Sequence, residues 1–330
     1  MKNSNKKAII TGITGQDGSY LSKFLIEKGY GVIGLTRSYS TASLVKLNYL
    51  GIDNHVEIIE CDLLDISSII KMLIKFQPDE IYNLSAQSSV GLSFEQPIGT
   101  INYNINSFLN ILESVRILKL TTKIYQASSS EMFGAVEHLP ITLHTPMHPL
   151  SPYAISKASA YWLGINYRES YGLFISNGIL FNHESYLRSS NFFIKKILKD
   201  SILISKGSKD KLVVGNIDIK RDFGYAPKFV EAMWLSLQQN NGEDFIICSG
   251  VSTSLREIIE YIFKRLQISM DCLEINSALF RPTEIEDIYG DNNKAKSKLG
   301  WEYNMNYQQL IDILLEEELE QDKKTSKKLC

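Results

Sequence analysis

The sequence predicts an α/β fold: a Rossmann-type, doubly wound parallel sheet with a smaller C-terminal lobe. Short apolar segments alternate with helical patterns through the first half, glycines follow the first of these segments, and the alternation loosens after about residue 185. Strands that alternate with helices form βαβ units with right-handed crossovers, and therefore a parallel sheet. We expect residues 1–184 to form mainly the sheet domain and residues 185–330 mainly the smaller lobe, with some elements returning to the main sheet.

The individual elements follow from their hydrophobic periodicity. The predicted strands of the first half are KAIIT (residues 7–11), GVIGL, VEIIECDL, EIYNLSA, KIYQAS and LFISNGIL. The helical patterns between them are TGITGQDGSYLSKFLIEKGY, SSIIKMLIKF, residues 101–118 and SPYAISKASAYWLGINYRESYG. Beyond residue 185 we expect helices at FFIKKILKDSI, residues 227–240 and SLREIIEYIFKRL, a strand at DFIICSG, and strand with loop at FRPTEIEDIYGD.

Bulk composition excludes several classes of protein. A chain of 330 residues with 44% hydrophobic and 22% charged residues is typical of a globular protein. The net charge of −2 gives no electrostatic basis for binding nucleic acid or an anionic membrane. No run approaches a signal-peptide core or the ~20 apolar residues of a membrane span. The cysteines form no CxxC pair and the histidines no HExxH motif, so we expect a cytoplasmic protein with reduced thiols and no metal site.

The glycines Gly12, Gly15 and Gly18 lie between the first predicted strand and the first helix. Glycine there permits positive φ and close approach to a pyrophosphate, which the helix N-terminus also attracts. The spacing GxxGxxG therefore predicts dinucleotide binding. The segment after the second strand contains Arg37 and no acid, which favours NADP over NAD, because an arginine suits the 2′-phosphate. Asp62, after the third strand, is a candidate contact for the adenine edge, or a residue that caps the loop.

Two further segments predict acid–base chemistry. Tyr153 and Lys157 share one face of a predicted helix, and a lysine ammonium lowers the pKa of a nearby phenol from ~10 toward neutrality. Such a phenol can take a proton from a sugar hydroxyl while hydride leaves for the nicotinamide. Ser129 and Glu131 follow the fifth strand, at the edge of the sheet where α/β proteins bind ligands. Glu131 would supply a second acid–base group, although it could instead cap the following helix.

Seven segments together resemble one family: TGITGQDGSYL, NLSAQS, YQASSSEMFG, SPYAISK, NGILFNHES, GNIDIKRDFGYAPKFVEAMW and FRPTEIEDIYGD. In this order they closely resemble the GDP-mannose 4,6-dehydratases of the extended short-chain dehydrogenase/reductases, from about residue 7 to about residue 315. The resemblance implies that Tyr153 takes the C4 hydroxyl proton and that Glu131 removes the C5 proton and helps the C6 hydroxyl leave as water. Lys157 would support Tyr153, and Ser129 stands where family members have threonine.

The resemblance, together with the glycine loop, implies a set of contacts for NADP and for a GDP-sugar. The expected cofactor residues are Gly12, Thr14, Gly15, Gln16, Asp17, Gly18, Arg37, Asp62, Leu63, Leu84, Ser85, Ala86, Tyr153, Lys157 and His183. The expected substrate residues are Ser88, Asn182, Arg188, Lys196, Arg221, Arg281 and Glu284. The resemblance also implies a homodimer or homotetramer, with neither nucleic acid nor a membrane as partner.

Two departures from the family pattern leave alternatives open. After the second strand, RSYSTASLVKL keeps only Arg37 and Lys46, where the family has several arginines and serines for the 2′-phosphate and for tetramer contacts. The family reads HESPRRG or HESPLRG where this chain has Tyr186 and Ser189 in HESYLRS. That loop borders the substrate, so a modified sugar such as a GDP-heptose is an alternative to GDP-mannose. A nucleotide-sugar 4-epimerase, a 4-keto reductase and a non-catalytic binding protein are further alternatives.

Overall fold

A computed structural model describes residues 6–38, 44–280 and 283–328. The strands, numbered in chain order, are β1 (Lys7–Thr11), β2 (Gly31–Thr36), β3 (Val56–Glu60), β4 (Glu80–Asn83), β5 (Lys123–Ser129), β6 (Ile175–Leu180), β7 (Asn182–Glu184), β8 (Leu212–Val214), β9 (Lys220–Tyr225), β10 (Asp244–Ile247), β11 (Ser252–Ser254) and β12 (Leu273–Ile275). The helices are α1 (Gln16–Glu27), α2 (Val45–Tyr49), α3 (Ile66–Phe76), α4 (Val90–Glu95), α5 (Pro97–Ile117), α6 (Pro152–Tyr171), α7 (Phe193–Ser205), α8 (Ala226–Leu237), α9 (Leu255–Leu266) and α10 (Tyr307–Lys328).

The main sheet has seven strands in the order β10-β6-β5-β4-β1-β2-β3, and every neighbouring pair is parallel. The predicted doubly wound parallel sheet is therefore confirmed. The strand order reverses between β1 and β4, because β2 and β3 extend from β1 in one direction and β5 and β6 from β4 in the other. The crevice beyond the carboxyl ends of β1 and β4 is where sheets of this kind bind ligands.

Both faces of the main sheet are covered, which explains why successive residues in its central strands are buried. Ile9 of β1 points into a core shared with Leu73 of α3 and Leu112 of α5. The next residue, Ile10, points to the opposite face, into a core shared with Leu21 of α1. This alternation follows from the two-residue period of a strand, and it places α1 against the sheet with its N-terminus at the ligand-binding edge.

The C-terminal part forms a second core, while one of its strands extends the main sheet. Ile197 of α7, Ile258 of α9 and Leu310 of α10 are fully buried in one apolar cluster. Beside it lie a three-stranded sheet of order β11-β9-β7 and a parallel pair of β8 and β12. β10 pairs with β6 at the edge of the main sheet. The segment FRPTEIEDIYGD contributes no strand within its described residues, only an isolated bridge between Ile141 and Gly290. No helix within the described part of the chain is long and apolar enough to cross a membrane.

Candidate active site

A cavity of about 990 Å³ lies at the carboxyl edge of the sheet, where the strand order reverses. Its walls come from the loop between β1 and α1, the ends of β2 and β3, the loop after β4, and the start of α5. The lining residues are Gly12, Thr14, Gly15, Gln16, Asp17, Gly18, Leu35, Thr36, Arg37, Ser38, Cys61, Leu63, Leu84, Ser85, Ala86, Gln87, Ser88, Leu92, Gln96, Gly99, Thr100, Tyr103 and Arg188. The fold therefore brings most of the sequence-predicted dinucleotide residues to one cavity.

The glycine loop has the geometry that an approaching pyrophosphate requires. Gly12 adopts φ of +69°, a conformation that other residues rarely take. Gly15 precedes the first turn of α1, and its N–H donates to the carbonyl of Gly12 at 2.9 Å. A Cβ on Gly18 would lie 2.4 Å from that same carbonyl oxygen, so only glycine lets α1 pack this closely on the loop. The free N–H groups of the helix N-terminus then face the cavity, as an anion site needs. These residues fit a dinucleotide.

Asp17 and His183 form a buried ion pair at the N-terminus of α1. His183 Nε2 lies 2.8 Å from Asp17 Oδ2, and His183 Nδ1 lies 2.7 Å from the carbonyl oxygen of Phe181. Because both ring nitrogens face acceptors, the doubly protonated imidazolium satisfies them and a neutral ring could not. Burial acts against charge on both groups, but their mutual attraction prevails: it lowers the pKa of Asp17 to about 2 and raises the pKa of His183 above its usual value.

The loop after β7 is attached to the same helix N-terminus. Ser185 Oγ donates to Gln16 Oε1 at 2.7 Å, and Gln16 Nε2 donates to the carbonyl of His183 at 3.1 Å. Arg188 lies over the ring of Phe192, 3.6 Å from its centroid, and its Nε is 3.6 Å from the carboxylate of the buried Glu184. Arg188 was predicted as a substrate contact, and the structure places it on the wall of the dinucleotide cavity.

A hydrogen-bond chain that the sequence analysis missed joins the glycine loop to Lys157. Thr11 Oγ1 donates to Asn83 Oδ1 at 2.8 Å, and Asn83 Nδ2 donates to Gln126 Oε1 at 2.7 Å. Gln126 Nε2 contacts the carbonyl of Ala127 at 3.3 Å, and Lys157 Nζ donates to that carbonyl at 2.8 Å. The amide side chains inside the predicted strands EIYNLSA and KIYQAS were the available signal, because a buried amide requires partners.

Ser129, Glu131 and Tyr153 meet where β5 ends and α6 begins. Ser129 is the last residue of β5, and its hydroxyl accepts the N–H of Glu131 at 3.3 Å in the short 3-10 turn that follows. Ser151 caps α6 by accepting the N–H of Ala154 at 3.1 Å, which places Tyr153 in the first turn. Tyr153 is buried, with the Ser129 hydroxyl as a hydrogen-bond partner and the Glu131 charge nearby. Ser129, not Glu131, is therefore the N-cap residue of that turn.

The expected lowering of the tyrosine pKa is wrong for the chain alone. Burial raises the pKa of Tyr153 to about 12, an effect that the Ser129 hydroxyl opposes and the Glu131 charge reinforces. Lys157 does not offset it, because its ammonium is turned to the Ala127 carbonyl and lies 5.9 Å from the centroid of the Tyr153 ring. Burial also lowers the pKa of Lys157 itself, to about 8. The four-residue spacing on the helix correctly predicts that Tyr153 and Lys157 are neighbours. It does not predict which acceptor the Lys157 ammonium bonds.

The remaining predicted residues lie outside this cluster. Lys196 Nζ donates to the carbonyl of Val213 at 2.8 Å. Arg221 is buried and donates to the carbonyls of Lys220 and Ile285, each at 2.7 Å. Glu284 accepts from Asn216 Nδ2 at 2.7 Å.

Asn182 begins β7, next to His183. Asp62 accepts the N–H of Leu64 at 3.0 Å, as a residue capping the loop would, while its neighbours Cys61 and Leu63 line the cavity. Arg281 lies outside the described residues. Within residues 6–38, 44–280 and 283–328, no group of three or more His, Cys, Asp or Glu side chains could hold a metal ion.

Comparison with solved structures shows the fold. The UDP-glucose 4-epimerase of Thermotoga maritima, solved with UDP-glucose, superposes with a TM-score of 0.84 at 22% identity, covering 94% of this chain and 97% of the other. The dTDP-glucose 4,6-dehydratase of Bacillus anthracis, solved in complex with NAD, gives 0.83 at 19% identity, covering 94% and 96%. At these identities the likeness establishes shared architecture only.

Sequence comparisons are more specific. A family model described as GDP-mannose 4,6 dehydratase matches residues 9–314. GDP-mannose 4,6 dehydratase 1 of Arabidopsis thaliana is 44% identical over 326 residues, covering 96% of this chain and 90% of the plant protein. GDP-mannose 4,6-dehydratase of Vibrio cholerae serotype O1 is 41% identical over 353 residues, covering 96% and 95%. As its motifs predict, the chain belongs to the GDP-mannose 4,6-dehydratase family.

Proposed function

We propose that this chain is a GDP-sugar 4,6-dehydratase that converts GDP-mannose to GDP-4-keto-6-deoxymannose and water, with NADP as its bound cofactor. The observation that carries the proposal is the position of Glu131: its backbone N–H donates to the Ser129 hydroxyl, and its carboxylate charge acts on the buried Tyr153 phenol. A 4-epimerase or a 4-keto reductase needs one acid–base group at C4. Removal of a C5 proton and loss of the C6 hydroxyl need a second, and Glu131 supplies it.

The cavity supports a nicotinamide dinucleotide as the cofactor. The positive φ of Gly12, the close packing at Gly18 and the N-terminus of α1 suit its pyrophosphate. Arg37 follows β2 and lines the same cavity, which favours a 2′-phosphate and hence NADP. When bound, the nicotinamide supplies the one chemistry that no side chain has, because it accepts hydride from C4 and returns it to C6.

The side chains perform the proton transfers. Tyr153 accepts the proton of the C4 hydroxyl as hydride leaves C4, and the Ser129 hydroxyl holds the reacting oxygen. The resulting 4-ketone acidifies the C5 proton, which Glu131 removes and delivers to the departing C6 hydroxyl. As C6 regains the hydride, Tyr153 gives its proton to C5, so the atoms balance as the loss of one water with no net oxidation. Each acid–base step of this kind contributes roughly 10²–10⁴-fold to the rate.

Lys157 acts in this scheme as a fixed charge. Its ammonium is held by the Ala127 carbonyl, and that carbonyl lies at the end of the hydrogen-bond chain from the glycine loop. Because the pKa of Tyr153 is raised to about 12, the chain alone keeps the phenol protonated. Deprotonation therefore depends on positive charge brought near the ring, and Lys157 and Arg188 are the cations that the fold places closest to this chemistry.

The test is to incubate the purified protein with GDP-mannose and catalytic NADP⁺ and to follow the sugar by mass spectrometry. The proposal predicts loss of one water per sugar without accumulation of NADPH. Glu131→Gln should abolish turnover while retaining substrate affinity, whereas Glu137→Gln, on an exposed residue of the adjoining loop, should remain fully active. If GDP-mannose is inert, a GDP-heptose is the second substrate to test, because Tyr186 and Ser189 alter the loop that borders the sugar. Net consumption of NADPH with a 4-keto substrate would instead indicate a reductase.

We also propose that the chain forms a homodimer through the outer face of α6. Ile155 and Trp162 lie two turns apart on that helix and are 44% and 57% exposed. Ile98, at the start of the neighbouring α5, is 84% exposed. Large apolar side chains grouped on adjacent helices indicate a contact with another chain. Light scattering after size exclusion should give a dimer mass for wild type and a monomer mass for Trp162→Glu.

A further inference from the structure

The adenosine end of the cavity contains an arginine stacked on a tyrosine. Arg37 follows β2, and its guanidinium carbon lies 5.0 Å from the ring centroid of Tyr103 on α5. Both residues line the cavity that begins at the glycine loop. Arg37 is exposed and Tyr103 is half-buried, so the ring is the more constrained partner.

The face of α5 that carries Tyr103 forms one wall of the cavity. Gln96, Gly99, Thr100 and Tyr103 all line it, at the spacing that places residues on one side of a helix. A Cβ on Gly99 would meet no atom within 4 Å, so there is open space one turn before the tyrosine. Thr100 is fully buried, and its hydroxyl already donates to Gln96 O and accepts from Gln87 Nε2. The wall is therefore open at Gly99, one turn before Tyr103, and the Thr100 hydroxyl already has its partners.

The contact with the ring holds the guanidinium at the cavity wall by cation–π attraction. Guanidinium N–H groups that do not face the ring can form paired bonds with phosphate oxygens. Among the lining residues the only acid is Asp17, whose charge is held by His183 at 2.8 Å, so no carboxylate of the described lining opposes an anion there. A long exposed arginine loses considerable freedom on binding, and prior stacking reduces that loss.

We propose that Tyr103 is a positioning residue that holds Arg37 ready for the 2′-phosphate, so that selectivity for NADP over NAD rests on the Arg37–Tyr103 pair. The inference rests on the proposed function, because it assumes that the cavity binds a nicotinamide dinucleotide. It adds a specificity determinant on α5, about 66 residues further along the chain than the arginine, where no sequence motif marks it.

The test measures affinity, not turnover. Calorimetric titration at low ionic strength would give the dissociation constants of NADP⁺ and NAD⁺ for wild type, Arg37→Gln, Tyr103→Leu and Tyr103→Phe. Arg37→Gln should weaken NADP⁺ by about 10–100-fold, the range for a hydrogen bond to a charged group, and leave NAD⁺ nearly unchanged. Tyr103→Leu should weaken NADP⁺ by about two- to fivefold, as loss of an exposed cation–π contact predicts, again sparing NAD⁺. Tyr103→Phe keeps the ring and should behave as wild type.

The affinity for NAD⁺ within each variant is the internal control for folding. If Tyr103→Leu weakens NAD⁺ and NADP⁺ equally, the ring supports adenine or the fold and the proposal is overturned. It is also overturned if Tyr103→Leu weakens NADP⁺ as much in the Arg37→Gln background as alone, since residues that act together are not additive. Wild type that binds neither dinucleotide would overturn both this inference and the proposed function. Selective NADP⁺ binding without turnover of any GDP-sugar would overturn only the proposed function.

Discussion

The packing of α1 on the glycine loop can be tested by adding one methyl group. In Gly18→Ala the new Cβ would lie 2.4 Å from the Gly12 carbonyl oxygen and 2.8 Å from the Ile13 Cα. Both neighbours are backbone atoms, so no side chain can rotate away and the helix must separate from the loop. Overpacking of this kind costs about 1–3 kcal/mol. At about 2–4 °C per kcal/mol, the unfolding midpoint should fall by about 2–12 °C.

Dinucleotide affinity should fall together with stability in that variant. Moving α1 outward displaces its free N–H groups from the anion, and losing one hydrogen bond to a charged group corresponds to about tenfold or more in affinity. The assays are thermal unfolding followed by circular dichroism and calorimetric titration with NADP⁺.

Gly91→Ala, in α4, is the matched control, because a Cβ there would meet no atom within 4 Å. Relief of the poor helix propensity of glycine should leave that variant unchanged, or stabilise it by up to about 1 kcal/mol. If Gly18→Ala matches Gly91→Ala in both midpoint and affinity, the argument from close packing is wrong.

Three further perturbations test the buried polar groups. His183→Gln removes the partner of Asp17; in wild type the pKa of Asp17 is lowered to about 2 and the pKa of His183 is raised. The contribution of His183 to stability is complete below its unfolded pKa of ~6.5 and is lost as pH rises through the raised pKa. The contribution of Asp17 is present above pH ~4 and is lost as pH falls toward 2. The gap in unfolding midpoint between wild type and variant should thus be largest between pH ~4.5 and 6.5 and shrink at higher pH, and a gap that widens there would contradict the ion pair. Asn83→Leu breaks the hydrogen-bond chain to Lys157 and should cost about 1–3 kcal/mol in denaturant unfolding, because its buried partners lose their bonds. A neutral result would exclude the chain as a stabilising element. Glu318→Gln leaves Lys195 as an unpaired charge in a buried ion pair and should cost about 3–5 kcal/mol in the same assay, whereas the exposed Glu302→Gln should change it by less than about 1 kcal/mol.

The main sheet was predicted from two local properties of the sequence, the period of its hydrophobic residues and the position of its glycines. The strands β1 to β6 all coincide with predicted segments, as do the helices α1, α3, α5 and α6, whereas the short helices α2 and α4 were not predicted. The strands β7, β8, β9, β11 and β12 were not predicted. Four of them have only three residues and β9 is the largely polar KRDFGY, so none shows a clear period, and they form by pairing with distant segments. The position of Arg188 was missed for the same reason, because its place on the dinucleotide cavity depends on how the loop after β7 folds back onto α1.

The pair of Tyr153 and Lys157 shows where inference from spacing ends. Residues one turn apart on a helix are neighbours, and this much follows from the sequence. Whether the ammonium lowers the pKa of the phenol depends on which acceptors compete for the ammonium, and here the Ala127 carbonyl of β5 accepts its hydrogen bond at 2.8 Å. That carbonyl also receives Gln126, which Asn83 and Thr11 connect to the glycine loop across neighbouring strands. The orientation of Lys157 is therefore a property of the sheet edge as a whole. It follows that a substitution at Thr11, Asn83 or Gln126 can change the pH dependence of turnover without touching either member of the pair.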